Sequence, residues 1–352
     1  MFVLALIFSS WAVSAFETTS EQRVFSRPLA FDVQGHRGGR GNAVENTLPA
    51  FAWGLIDGAT TLELDNGITK DGVVVVWHDE QILPEKCSDT SPATPGDPLF
   101  PYVGKYIVEL TLAQLKTLDC GSQRQTNYPL QLTYPGTRIS TLEEVFEFVE
   151  CADPEHSIRW NIESKIDAVN SNLTASVDDF VQKQYALFAK SPYKKAITFQ
   201  SFDWRSLIAM KKLDNSIITS ALAEYDTTVI YGRSLSPWLA GVDINAFPGS
   251  FGAKLAHAAH AINASILSPS AYKSNLSLTT HEMVETAHSL GMQVKPWTVN
   301  SLDVAEDLLA WGVDGIISDY PNMVRRFVQQ YGLVVAPKFP KLRVRRCLEQ
   351  YL

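Results

Sequence analysis

The chain has 352 residues, 45% of them hydrophobic, with four Cys and a net charge of −8 from 30 Lys plus Arg against 38 Asp plus Glu. That apolar share is too high for a disordered chain, and four Cys are too few for a disulfide-dense scaffold, so a globular protein with one or two full cores is expected. The acidic balance argues against nucleic acid as a partner, though not against small anions held by local groups, and no run of about 20 apolar residues offers a transmembrane span.

In chain order, residues 1–15 read as a secretory signal peptide: an apolar run from Met1 to Phe8, then Val13-Ser14-Ala15 as a small-residue cleavage site, with no Lys or Arg ahead of it. Sequons at Asn172, Asn263 and Asn275 and an even Cys count fit a secreted, extracellular glycoprotein with two disulfides. From Phe31 onward, strand-length apolar runs alternate with amphipathic helix-length stretches. Predicted strands are 31–35, 61–64, 73–78, 158–162, 196–200, 217–222, 242–246, 265–268, 293–298 and 315–318. Predicted helices are 47–56, 142–149, 177–189, 204–212, 254–261, 280–290, 302–311 and 322–330. Apolar strands between helices describe a parallel sheet covered on both faces. This many units over residues 31–330 favour an α/β (β/α)8 TIM barrel over an open doubly wound sheet, and Gly35-His36-Arg37-Gly38-Gly39 lacks a dinucleotide-binding GxGxxG.

Residues 80–139, rich in Pro, Gly, Ser and Thr with one helical pattern near 111–117, read as an insertion after the third strand, over the C-terminal face where barrel active sites form. A decorative surface loop is the plainer alternative. The C-terminal tail, residues 331–352, is locally basic, as solvated faces commonly are. Cys87 and Cys120 share the insertion, whereas Cys151 and Cys347 follow helices and fall at the opposite face, which predicts the pairs Cys87–Cys120 and Cys151–Cys347.

Charged and imidazole groups recur at the ends of early strands: His36 and Arg37 after the first, Glu63 and Asp65 in the second, His78 and Asp79 after the third, then Glu163 and Lys165. Strand ends of a parallel barrel converge on one site. Glu63 and Asp65 share a strand face, as do Glu163 and Lys165, and three converging carboxylates would repel unless a hard divalent cation, Mg²⁺ or Ca²⁺, held them. Taken singly, such pairs are ordinary strand-end charges; it is their recurrence that points to a site. Two histidines suit general acid–base work near neutral pH, while Arg37 and Lys165 suit phosphate oxygens. Together these describe cleavage of a phosphodiester. Plainer readings are a structural His36, a surface ion pair for Arg37, Asn46 or Thr47 as a helix N-cap, and core positions for Trp297 and Phe202. His257, His260, His281 and His288 fall on predicted outer helices and read as structural or exposed.

The motifs Gly35-His36-Arg37-Gly38, Glu45-Asn46-Thr47, Glu63-Leu64-Asp65, His78-Asp79, Asn161-Ile162-Glu163-Ser164-Lys165, Gln200-Ser201-Phe202-Asp203, Trp297-Thr298-Val299-Asn300 and Gly312 to Asp319 resemble the glycerophosphodiester phosphodiesterase family, in order across residues 31–330. The resemblance implies a TIM barrel and hydrolysis of small-molecule glycerophosphodiesters such as glycerophosphocholine to glycerol 3-phosphate and an alcohol. It implies His36 and His78 as the acid–base pair, Glu63, Asp65 and Glu163 as metal ligands, Arg37 and Lys165 as phosphate contacts, and residues 80–139 as a substrate-shaping element. The family's Pro before the Glu-Asn-Thr motif is Val44 here, a position that shapes a helix entry. Two alternatives are a barrel phosphodiesterase of the lysophospholipase D or sphingomyelinase D kind, and an inactive phosphodiester-binding barrel.

Overall fold

A computed structural model describes residues 30–229, 235–273 and 276–352; the signal-peptide reading and the Asn275 sequon lie outside them. The strands are β1 (Asp32–Gly35), β2 (Thr61–Ile68), β3 (Val74–Val76), β4 (Arg159–Ser164), β5 (Ile197–Ser201), β6 (Ile218–Ala223), β7 (Ile266–Pro269), β8 (Tyr272–Lys273), β9 (Leu276–Ser277), β10 (Gln293–Val294) and β11 (Gly315–Ser318). The helices are α1 (Leu48–Asp57), α2 (Leu112–Leu115), α3 (Leu142–Ala152), α4 (Val177–Lys190), α5 (Trp204–Leu213), α6 (Tyr225–Thr228), α7 (Phe251–Ala261), α8 (His281–Ser289), α9 (Leu302–Ala310), α10 (Pro321–Gln330) and α11 (Lys341–Leu348). Among the described residues no helix is long and apolar enough to cross a membrane.

Eight parallel strands run in the order β10-β7-β6-β5-β4-β2-β1-β11. Between the ends of that path, the Asp314 N–H donates to Val294 O at 2.9 Å and the Ile317 N–H to Pro296 O at 3.0 Å. The sheet therefore curls nearly shut, a (β/α)8 barrel as expected. Two predicted strands are not staves. Residues 242–246 hold a short 3-10 turn, Ile244–Ala246, started by the Asp243 carboxylate accepting the Asn245 N–H at 2.9 Å. Residues 73–78 hold β3, which runs antiparallel to β2 as the return arm of a hairpin.

Strand alternation sorts the side chains by face. Leu62 and Leu64 of β2, Trp160 and Ile162 of β4 and Phe199 of β5 belong to the apolar core. The opposite face is polar and buried: Asp32, Gln34, Thr61, Glu63, Asp65, Asn161, Glu163 and Gln200. Hydrogen bonds and ion pairs link most of these groups, with Asn161 Oδ1 left without a partner. Asp32 takes Lys295 Nζ at 2.9 Å and Arg159 Nη2 at 2.9 Å. Asn161 Nδ2 bonds Gln34 Oε1 at 2.8 Å and Gln200 Oε1 at 2.9 Å, and Gln200 Nε2 reaches Glu63 Oε1 at 2.8 Å. The interior is thus a hydrogen-bonded column leading to the site, unlike the continuous apolar strands the sequence suggests.

β3 divides two cores: Val74 and Val76 pack into the barrel core, while Val75 joins Trp77, Ile82, Tyr102, Ile107, Leu110, Leu115, Leu118, Ile139 and the Cys87–Cys120 disulfide beneath residues 80–139. The second disulfide, Cys151–Cys347, ties α11 to α3. Both pairs are the expected ones. The tail is not a loose strand of chain: α11 buries Val344, Cys347 and Leu348, and it leaves Lys341, Arg343, Arg345 and Arg346 exposed.

Candidate active site

The first strand ends in a turn that only its glycines allow. Arg37, Gly38 and Gly39 take φ of 51°, 86° and 107°. A Cβ on Gly38 would also sit 2.8 Å from the backbone carbon of Ala50 in α1. This turn sets His36 and Arg37 over the barrel mouth, with the Arg37 N–H donating to Glu63 Oε2 at 2.8 Å. The next segment does the same with an asparagine: Asn46, at φ 55°, donates from Nδ2 to Asp65 Oδ2 at 2.8 Å. Thr47 is the N-cap of α1, accepting the Ala50 N–H at 3.2 Å, so the capping expectation holds for Thr47 while Asn46 serves the site.

Glu63, Asp65 and Glu163 each place a carboxylate oxygen within 4.8 Å of the other two, all buried. Asp65 and Glu163 stand opposite each other in the β2–β4 register, which like charges disfavour. Burial, then the Asp65 and Glu163 charges, hold the Glu63 carboxyl well above its usual range. Burial pushes Glu163 up to about 7 against the pull of Lys165. Asp65 stays below the usual range because His78, Arg37, Lys165 and the Asn46 amide together outweigh its burial. Lys165 Nζ lies 2.8 Å from Glu163 Oε1 and 3.8 Å from Asp65 Oδ1. Around the cavity, Glu45, Glu63, Asp65, Asp79, Glu163 and Asp319 make six carboxylates against the four cations Arg37, Arg40, Lys86 and Lys165. The deficit of two positive charges and the three hard oxygen donors fit one divalent cation.

Both histidines carry a carboxylate partner. His36 Nδ1 lies 2.6 Å from Asp319 Oδ1, and His78 Nδ1 lies 3.0 Å from Asp79 Oδ1. Since a carboxylate only accepts, each imidazole carries its proton on Nδ1 and has Nε2 left for chemistry. Burial lowers both imidazoles below their ordinary value; Asp319 partly opposes this for His36, and the Arg37 and Lys165 charges deepen it for His78.

His36, Arg37, Glu63, His78, Glu163, Lys165 and Trp297 line one cavity, with Gln200, Phe202, Leu222 and Ile317. Asp65 is 1% exposed and belongs to the carboxylate cluster. All eight predicted site residues thus come together at one end of the barrel. Phe202 and Trp297 meet edge to face at 5.4 Å and form the aromatic wall, whereas the four outer histidines lie on α7 and α8. Arg37 Nε, buried, lies 3.4 Å from Asp65 Oδ2 without a hydrogen-bond partner.

Several contributors were given no site role from the sequence, although Glu45 and Asp319 lie in the quoted motifs. Asp319, one residue past β11, accepts from His36, from Arg40 Nε at 2.9 Å, from the Tyr128 hydroxyl at 2.8 Å and from Asn300 Nδ2 at 2.6 Å. Its position at a strand end was the available signal. Glu45 pairs with Arg37 Nη1 at 3.0 Å, Arg40 Nη1 at 3.2 Å and Lys86 Nζ at 2.6 Å. Lys86 and Tyr128 come from residues 80–139, where no periodic pattern marks them.

Residues 36–323 match the glycerophosphoryl diester phosphodiesterase family. A glycerophosphodiester phosphodiesterase of Bacillus subtilis (strain 168) is 25% identical over 334 residues, covering 94% of this chain and 97% of that protein. Among solved structures, a candidate glycerophosphoryl diester phosphodiesterase of Silicibacter pomeroyi DSS-3 superposes with a TM-score of 0.71 at 26% identity, covering 88% of this chain and 96% of that one. An Oleispira antarctica phosphodiesterase in complex with its product sn-glycerol-3-phosphate superposes with a TM-score of 0.62 at 20% identity, covering 85% and 97%. With the barrel, the carboxylate cluster and the two histidines on one cavity, the chain belongs to the glycerophosphoryl diester phosphodiesterase family of phosphoric diester hydrolases.

Proposed function

We propose that this protein hydrolyses glycerophosphodiesters such as glycerophosphocholine to glycerol 3-phosphate and a free alcohol, with His36 and His78 as the acid–base pair and Glu63, Asp65 and Glu163 holding one Mg²⁺ or Ca²⁺. The observation that carries the reading is that two imidazoles, each oriented by a carboxylate at Nδ1, share one cavity with the carboxylates Glu63 and Glu163. A bound cation would supply positive charge for the phosphate oxygens as negative charge builds in the transition state. Arg37, with Nε unsatisfied at the cavity wall, and Lys165 would hold further phosphate oxygens. One imidazole Nε2 takes the proton from the attacking hydroxyl, that of water or of the glycerol 2-position. The other, protonated at Nε2, gives its proton to the leaving oxygen. Asp319 and Asp79 favour the imidazolium each histidine passes through. Trp297 and Phe202 bound the pocket and limit the alcohol that fits.

A secreted setting is part of the proposal, supported by the two disulfides and by exposed sequon residues Asn172 and Asn263. The test is glycerol 3-phosphate release from glycerophosphocholine by the purified protein, with EDTA and then with Mg²⁺ or Ca²⁺ restored. Activity lost with EDTA and regained with one cation is expected. Choline release from lysophosphatidylcholine without turnover of glycerophosphocholine would replace the substrate class, and silence on both would leave a binding barrel.

A further inference from the structure

Residues 80–139 do more than cover the barrel mouth, because two of their side chains enter the buried charge network behind the histidines. Lys86 sits where the Lys86 and Cys87 N–H groups both donate to Leu83 O at 3.0 Å, beside the Cys87–Cys120 staple. Only 9% exposed, it places Nζ 2.5 Å from Asp79 Oδ2 and 2.6 Å from Glu45 Oε1, over the Trp77 ring at 5.7 Å. Asp79 is the carboxylate on His78, and its side chain keeps 20% exposure. Without the ammonium, Asp79 and Glu45 would repel across a shared point, and Asp79 would turn towards water. On the other histidine, the Tyr128 hydroxyl donates to Asp319 Oδ2 at 2.8 Å, and its ring lies under Arg40 at 5.0 Å. Arg40 in turn bridges Asp319 and Glu45, so the path from His78 through Asp79, Lys86, Glu45, Arg40 and Asp319 to His36 is unbroken.

We propose that Lys86 and Tyr128 are positioning residues, one for each histidine–carboxylate pair, so that the excursion at residues 80–139 completes the catalytic centre as well as shaping its entrance. This rests on the assignment of His36 and His78 as the acid–base pair. Neither residue touches the reacting atoms; each acts through the carboxylate it fixes.

The test is kcat and KM on glycerophosphocholine at saturating cation for the full chain, with melting temperature measured on every variant. Wild-type turnover and its loss in His78→Ala establish the underlying reading; if His78→Ala retains turnover, that reading fails whatever the positioning variants do. Lys86→Gln and Tyr128→Phe should each lower kcat about 10-fold or more at nearly unchanged KM. Lys86→Arg should recover most of the loss. Asp79→Asn combined with Lys86→Gln should be no slower than Asp79→Asn alone, since Lys86 acts through Asp79. A purely structural role would instead lower melting temperature and multiply the losses. Tyr128→Phe deletes one hydroxyl from a half-buried ring and decides the matter even if Lys86→Gln does not fold. Wild-type kcat in Tyr128→Phe, or multiplied losses in the double variant, would overturn the proposal.

Discussion

A carboxylate outside the cavity lining governs what His36 can do. Asp319 is fully buried and accepts four hydrogen bonds, and His36, Arg40 and Asn300 hold it below the usual carboxylate range despite its burial. Asp319→Asn would present an amide that can donate to Nδ1, inverting the tautomer; kcat should fall about 10- to 100-fold with KM little changed. Equal kcat in steady-state assays of this variant would refute that role. Burial lowers both imidazoles below their ordinary value, which favours the unprotonated form that a base needs. The base must be unprotonated, so kcat/KM at saturating cation should rise with pH along a limb centred below 6.5 and be lost as pH falls through it. A limb centred above 7 would contradict this. Strand-end chemistry made His36, Arg37, Glu63, Asp65, His78, Glu163 and Lys165 legible in the sequence. Asp319 occupies the same kind of position but looks like any strand-end acid until His36, nearly the whole chain away, is brought against it. Lys86 and Tyr128 could not be read at all, since only the folding of an irregular segment delivers them.

At the scale of elements, the alternation of strands and helices gave the barrel, and two short runs misled. Val73–His78 is as apolar as a stave, yet the Asp71-Gly72 turn, with Gly72 at φ 80°, folds it back on β2. A run this short has no periodicity that separates a parallel stave from a hairpin arm. The error leaves His78 in place, because the hairpin still ends at the barrel mouth. The polar inner face was missed for a related reason: Leu, Trp and Ile on the helix-facing side dominate each strand's composition, while Gln34, Asn161 and Gln200 matter only through their pairing. The turn after β1 is the element with least tolerance. Gly38→Ala should cost about 1–3 kcal/mol in denaturant unfolding, through its φ of 86° and the 2.8 Å approach to Ala50, and should reduce kcat by moving His36. Unchanged stability would show that the turn is looser than its geometry.

For the whole molecule, the proposed cation and the disulfides would bear on stability in separable ways. Cys151–Cys347 closes a separation of 196 residues through α11 and α3, and the double Cys→Ala variant should lose about 2–5 kcal/mol without changing KM. A shifted KM would mean that α11 reaches the site. Glu63 and Glu163, both raised, bind protons that a cation must displace, so cation affinity should grow as pH rises through about 7. The stabilisation on adding Mg²⁺ or Ca²⁺, read as a rise in melting temperature, should therefore be larger at pH 8 than at pH 6, and should reach about 2.7 kcal/mol where the cation is 100-fold above its Kd. No gain at either pH would remove the cation from the carboxylate cluster. Whether one cavity unites a cation-holding cluster with an acid–base pair can be read from kcat of His78→Ala on glycerophosphocholine alongside its cation-induced melting shift. The expected result is a loss of about 10²-fold or more in kcat with the melting shift retained. Near-normal turnover, with the variant folded and the cation bound, would contradict it.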